Sequence, residues 1–163
     1  MNIDSKISQA ETNLQRKLEW VGRHDSKIVF VTGIIIAMLG LLTSASSKIV
    51  NWDFWLYLIF GVTALLLFIS LFFVYKSQYP KTFSSNTSLN YFGTIAELKF
   101  DEFKCRTKQA TDDEYLDDLL CQIHINSQVL KLKFQFLKIS LILLGASVIP
   151  WLICLYFSHE YLK

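Results

Sequence analysis

Arg23-His24-Asp25-Ser26-Lys27 stands directly before an uncharged apolar run, residues 28–46, and the reading of this junction decides the fold. Ten Leu, Ile, Val and Phe residues in the run each contribute about −0.3 to −0.6 kcal/mol to insertion, enough to offset its Gly, Ser and Thr. A helix rises about 1.5 Å per residue, so about 20 residues cross a hydrocarbon core of roughly 30 Å. Two further blocks reach that length, residues 54–75 and 139–157; the last carries Gly145, Ser147 and Pro150. A cleaved signal peptide fits the first run poorly. Its leading region is 27 residues long, and its apolar part exceeds the usual length of about 7–15 residues.

A chain of 163 residues can bury a core of its own, but 52% of this one is apolar and the apolar residues fall in blocks. The expected fold is an all-α membrane protein. Three transmembrane helices span the bilayer, and the first and third continue as long helices into a cytosolic helical bundle. Of the sixteen Lys and Arg, five precede the first span and nine lie between the second and third. The positive-inside rule then makes those regions cytoplasmic. The divisions are a cytosolic N-terminal helix (1–27), a transmembrane hairpin (28–75), a cytosolic helical module (76–138), a third span (139–157) and an extracytoplasmic tail (158–163). A net charge of +2 with no basic run points away from nucleic acid. Cys105, Cys121 and Cys154 form no C-x-x-C and read as reduced structural thiols.

Ser8-Gln9-Ala10-Glu11 has the pattern of a capping box, so a helix is expected to start there. Ile7, Leu14, Leu18 and Val21 form its apolar stripe, and the same spacing continues through Asp25, Ile28 and Thr32. Asp25 is thereby expected on the buried side of a helix about to meet lipid, where an unpaired carboxylate is costly. Arg23, Lys27, Lys131 and Lys133 are its candidate partners. The pair serves either as a structural ion pair fixing helix depth or as part of a ligand site at the inner leaflet. Arg23 and Lys27 alone read as lipid-headgroup anchors.

Gly33, Ala37, Gly40 and Ser44 recur on one stripe of the first span, the spacing of close helix packing. The stripe suits either the chain's own second span or a second copy. Trp52 and Trp55 at one boundary, with Tyr75 and Tyr79 at the other, form aromatic belts. Pro80 ends the second helix, and residues 82–88 are the expected mobile loop. Thr94-Ile95-Ala96-Glu97 repeats the capping-box pattern. A short helix over 101–110 has Phe100, Phe103 and Thr107 on one side. Thr111-Asp112-Asp113-Glu114 opens the longest helix, whose apolar stripe is Leu116, Leu120, Ile123, Ser127, Leu130, Phe134 and Leu137. Beside it runs a row of Gln122, Asn126, Val129 and Lys133, either a solvated flank or a face turned toward Asp25.

Phosphate-loop, dinucleotide and zinc-protease motifs do not occur. No Cys/His cluster has metal-ligand spacing, and no nucleophile triad can be nominated. The expectation is a non-enzyme without catalytic residues, metal or cofactor. A transporter is disfavoured because the spans carry no mid-membrane ionisable group and no paired broken helices. A structural or scaffold subunit of a membrane complex, with residues 76–138 as its docking module, is the alternative to a ligand-gated effector.

The chain resembles the transmembrane effectors of the Pycsar antiphage system. That family shows an R-A-D-x-K-A-like motif opening the first span, a Phe-Phe-Gly-like turn, an E-E-F-like helix, and Q-x-x-x-N followed by basic residues. Here the corresponding residues are Arg23-His24-Asp25-Ser26-Lys27-Ile28, Tyr91-Phe92-Gly93, Asp101-Glu102-Phe103, and Gln122 and Asn126 followed by Lys131-Leu132-Lys133-Phe134. The likeness covers about residues 15–157, with His24 and Ile28 where the family has small residues. It implies a sensor of a cyclic pyrimidine mononucleotide, cUMP or cCMP. The implied place is the inner membrane with the N-terminus cytosolic, in homo-oligomers that impair the bilayer. On that reading Arg23, Lys27 or Lys133 meets the cyclic phosphate and Gln122 and Asn126 read the base. Tyr91 or Phe92 stacks on it, and Asp25 holds the basic groups in the free state.

Overall fold

The computed structural model describes residues 2–79 and 88–160. Among these the chain forms α1 (Ile3–Ser46), α2 (Phe54–Gln78), α3 (Phe92–Glu97), α4 (Phe100–Gln109) and α5 (Asp112–Glu160), with no strand. The three long helices α1, α2 and α5 are each long and apolar enough to cross a membrane, as the three apolar blocks require. Pro150 sits inside α5 without ending it; membrane helices tolerate proline because neighbouring groups re-satisfy the freed carbonyl. Pro80, the loop at 82–87 and the last residues of the tail, 161–163, lie outside the described residues.

The helices supply two units: a polar unit of Met1–Arg23 with Pro80–Leu132, and a spanning unit of His24–Tyr79 with Lys133–Lys163. In the spanning unit, spacing explains the packing. Buried positions on α1 are His24, Ile28, Val31, Ile35, Met38, Leu42 and Ala45. On α2 they are Leu56, Phe60, Thr63, Leu67, Ser70, Val74 and Ser77, and on α5 Lys133, Leu137, Ser140, Leu144, Ser147, Cys154 and Ser158. Each series steps by alternating fours and threes, with the half-buried Trp151 completing that of α5. This is the 3.5-residue repeat of knobs-into-holes packing. Ser70 bonds Ser140 and Ser77 bonds Lys133, so α2 runs antiparallel to α5. Asp25 meets Lys133 and Met38 meets Trp151, so α1 runs parallel to α5.

Small hydroxyl residues at the α2–α5 seam let the backbones approach. Ser70 Oγ donates to the Ser140 carbonyl at 2.9 Å and lies 2.9 Å from Ser140 Oγ. Thr63 Oγ1 donates to the Ile59 carbonyl at 2.7 Å and lies 3.6 Å from Cys154 Sγ, which leaves Cys154 a buried free thiol. Such contacts between membrane helices average about 0.6 kcal/mol each.

Several local expectations are corrected. The first helix starts at Ile3, and Ser8 lies within it, accepting from Thr12 Oγ1 through its carbonyl; the capping-box pattern is overrun by a helix already propagating. The α1 row running into His24 is Ile3, Ile7, Ala10, Leu14, Lys17 and Val21, all buried or half-buried. Leu18 is exposed, so its inclusion shifted the expected phase by one residue. Thr94 is buried within α3 and does not stand at the helix start; Tyr91 is the N-cap and makes no side-chain cap bond. On α4 no residue is buried, Phe100 and Phe103 included. On α5 part of the polar row turns inward, for Gln122 and Lys133 are buried while Leu120 is exposed; Leu137 of the apolar stripe stays buried.

The α5 start is as expected. The Thr111 N–H donates to Glu114 Oε2 at 2.8 Å, and the Glu114 N–H donates to Thr111 Oγ1 at 3.3 Å. The Thr111 N–H at the carboxylate, the larger influence, and the Thr111 hydroxyl beside it hold the Glu114 carboxyl below the usual glutamate range. A depressed folded value means stability that is complete above the ordinary glutamate value and fades as pH falls through the lowered one. The stability difference between wild type and Glu114→Gln, followed by thermal unfolding across pH, should therefore be present at pH 7 and close in acid. Ser70→Ala should cost roughly 0.6–1.7 kcal/mol in denaturant unfolding in detergent, the span measured for interhelical bonds in membranes.

Candidate functional site

One turn before the first apolar run, the spanning unit buries an ionisable cluster. The repeat puts His24 on the inward row of α1, Ser77 on that of α2 and Lys133 on that of α5, all at 6% exposure or less. A lysine at such a position must find a counter-charge, because an ammonium out of water is expensive. Asp25, beside the inward row, supplies it: Lys133 Nζ donates to Asp25 Oδ1 at 2.6 Å. The pair is asymmetric. The Lys133 side chain is 7% accessible and that of Asp25 36%, so outside groups meet the carboxylate face first.

Ser77 knits the cluster together. Its hydroxyl donates to the Lys133 carbonyl at 2.8 Å and lies 3.3 Å from His24 Nε2. Phe134 packs edge-on to the imidazole, with ring centres 5.0 Å apart. His24 Nδ1 has no hydrogen-bond partner among the described residues, and Asp25 Oδ1 stands 3.6 Å from it. Burial, the largest influence, pushes His24 below the usual histidine range against upward pulls from the Lys133 carbonyl and Asp25.

Lys27 is exposed and borders a groove of about 360 Å³ with Phe134, Leu137 and Lys138. Gly33, Ala37, Gly40 and Ser44 are all exposed on the α1 face opposite its inward row. A methyl group added at Gly33 or Gly40 would touch nothing within 4 Å. The stripe does not serve α2 of the same chain.

The polar unit holds the other expected residues. Gln122 is buried, and its Nε2 donates to Ser88 Oγ at 2.9 Å. Asn126 Nδ2 donates to the Gln122 carbonyl at 2.8 Å. Asp118 Oδ2 accepts from the backbone N–H groups of Leu89 and Asn90 and from Asn90 Nδ2 at 2.9–3.1 Å. Ser88, expected in a mobile loop, is instead buried and bonded. Tyr91 and Phe92 have ring centres 4.8 Å apart, with Phe92 exposed. A Cβ at Gly93 would lie 2.5 Å from Tyr91 Cε1, so any side chain there displaces the Tyr91 ring. Arg23 sits over the Trp20 ring at 5.8 Å, a cation–π contact on its own helix.

Within the spanning unit, then, Asp25 and Lys133 come together and Lys27 stays apart. Within the polar unit Gln122 joins Asn126, and Tyr91 joins Phe92. His24, Ser77 and Ser88 were not anticipated. For the first two the signal was available in the 3.5-residue spacing, which runs through both.

The ion pair carries a direct test. Asp25→Ala should destabilise the protein by about 1.5–3 kcal/mol, the range for a hydrogen bond between charged groups. That is below the cost for a fully buried pair because Asp25 reaches solvent. Adding Lys133→Met should restore most of the loss, read as the interaction energy of a double-mutant cycle in thermal unfolding.

No curated protein and no solved structure matches the chain. A family model described as Pycsar effector protein domain matches residues 9–158, nearly its whole length.

Proposed function

The chain belongs to the Pycsar effector family, antiphage membrane effectors, and from that premise we propose that it senses a cyclic pyrimidine mononucleotide, cUMP or cCMP, and answers by impairing the membrane. The observation that carries the proposal is the buried Lys133 ammonium held by a half-exposed Asp25 carboxylate. A 3′,5′-cyclic phosphate bears one negative charge and can take the same ammonium with charge-assisted hydrogen bonds. Lys27, exposed on the same helix as Asp25, adds attraction for an anion arriving there.

The Asp25–Lys133 pair ties α1 to α5, so a ligand that takes Lys133 from Asp25 loosens that tie. For the chain to switch, the nucleotide must favour the loosened state by several kcal/mol over the resting one. The outward stripe of Gly33, Ala37, Gly40 and Ser44, already exposed while the pair is closed, offers a face for a second copy, which suits homo-oligomers. The distribution of Lys and Arg supports an inner-membrane protein with a cytosolic N-terminus, the side on which a nucleotide made in the cell is met.

Dye-loaded liposomes carrying the full chain test this reading. Wild type should release dye on addition of cUMP or cCMP, and Lys133→Met should not. Silence with both nucleotides, or equal release from the variant, contradicts it.

A further inference from the structure

His24 is the ionisable group of the cluster to which the proposed ligand exchange assigns no part, and its surroundings define its hydrogen atoms. The Ser77 hydroxyl proton is committed to the Lys133 carbonyl at 2.8 Å. The Ser77 oxygen is therefore an acceptor toward His24 Nε2, 3.3 Å away, and Nε2 carries the ring's hydrogen. Nδ1 is then a bare lone pair, buried and without a hydrogen-bond partner among the described residues, 3.6 Å from Asp25 Oδ1. Two acceptors face each other across that gap. The arrangement holds only while Lys133 occupies the carboxylate at 2.6 Å.

The charged groups that the described residues set against the ring are Asp25 from α1 and Lys133 from α5; α2 contributes the neutral Ser77. Both charges change their effect when an anion draws Lys133 away. The ammonium that disfavoured a second positive charge is now neutralised by phosphate. The carboxylate loses its counter-ion while still standing beside Nδ1. A half-exposed carboxylate that has lost its counter-ion favours positive charge on the buried imidazole beside it, and a proton from solvent on Nδ1 makes an imidazolium–carboxylate pair in its place.

We propose that binding of the cyclic nucleotide is coupled to uptake of one proton at His24 Nδ1, which takes over Asp25 as Lys133 turns to the phosphate. The inference rests on the exchange at Lys133 proposed above and deepens it: His24 is a positioning residue that stabilises the ligand-bound arrangement. The proton balance is simple. Solvent loses one proton, Nδ1 gains an N–H bond, Nε2 keeps its hydrogen on Ser77, and no other bond changes. Mild acidification then sensitises the effector to its nucleotide.

Calorimetric titration of cUMP and of cCMP into the full chain in nanodiscs, at one pH near neutrality in HEPES and in Tris, measures the uptake. The two buffers differ in ionisation heat, so the observed heat shifts in proportion to protons taken up. Wild type should show uptake approaching one proton. Its affinity should tighten as pH falls from 8 to 6, by at most about tenfold per pH unit for a single linked proton. His24→Gln keeps an N–H donor for Ser77 but cannot take the proton, and it should bind with equal heats in both buffers. Equal heats for wild type, with binding intact, overturn the proposal and leave the nucleotide site standing. Undiminished uptake in His24→Gln overturns it too. Should that variant fail to fold, the wild-type pH dependence decides alone, and a flat affinity from 8 to 6 rejects the coupling. Absence of binding by either nucleotide removes the site and the coupling together.

Discussion

An ammonium withdrawn from water has to be matched, and the inward position of Lys133 imposes that requirement on everything around it. Asp25 answers from α1 at 2.6 Å. Ser77 answers from α2 by holding the lysine's carbonyl and ordering the His24 ring. One buried charge thus draws three helices to one level of the spanning unit. Replacing the cluster with apolar side chains would satisfy packing alone. Its retention beside an apolar run fits a site whose counter-ion can be exchanged, as the proposed response to an anionic nucleotide requires.

The seam beyond the collar belongs to the same logic. Between membrane helices the hydrophobic effect supplies little, because lipid tails are as apolar as leucine. Close approach and weak hydrogen bonds carry the association, and Thr63, Ser70 and Ser77 on α2 meet Cys154, Ser140 and the Lys133 carbonyl on α5. Each contact is small on the membrane scale. A bundle joined this way holds a single register and remains open to rearrangement once its strongest link, the ion pair, is contested.

The apolar blocks made three spanning helices legible in the sequence, and the depth of Asp25 made a cationic partner legible, with Lys133 among those named. Which row faces inward was not legible by hydrophobicity. In lipid the exposed face is as greasy as the core, so Phe30 and Leu41 point outward while Ser70 and Ser140 are buried. On α1 one exposed leucine, Leu18, turned the expected stripe toward Asp25 and hid His24, which the alternating spacing from Ile3 through Ile28 places inward. On α5 the apolar stripe placed Leu120 inside and left the Gln122 row either solvated or turned inward; Leu120 is exposed and Gln122 is buried. Capping boxes divided similarly: Thr111–Glu114 begins a helix after a break, whereas Ser8–Glu11 and Thr94–Glu97 lie where a helix is already under way.

The central claim is that Asp25 and the nucleotide compete for one ammonium. Titration of cUMP and cCMP against the Asp25→Asn variant at pH 8, where protonated His24 contributes least, tests this most directly, because the substitution removes the competitor and leaves Lys133 in place. The account predicts tighter binding than wild type, by about tenfold if the freed ammonium contributes about 1.4 kcal/mol. Unchanged or weaker binding by the folded variant would contradict it.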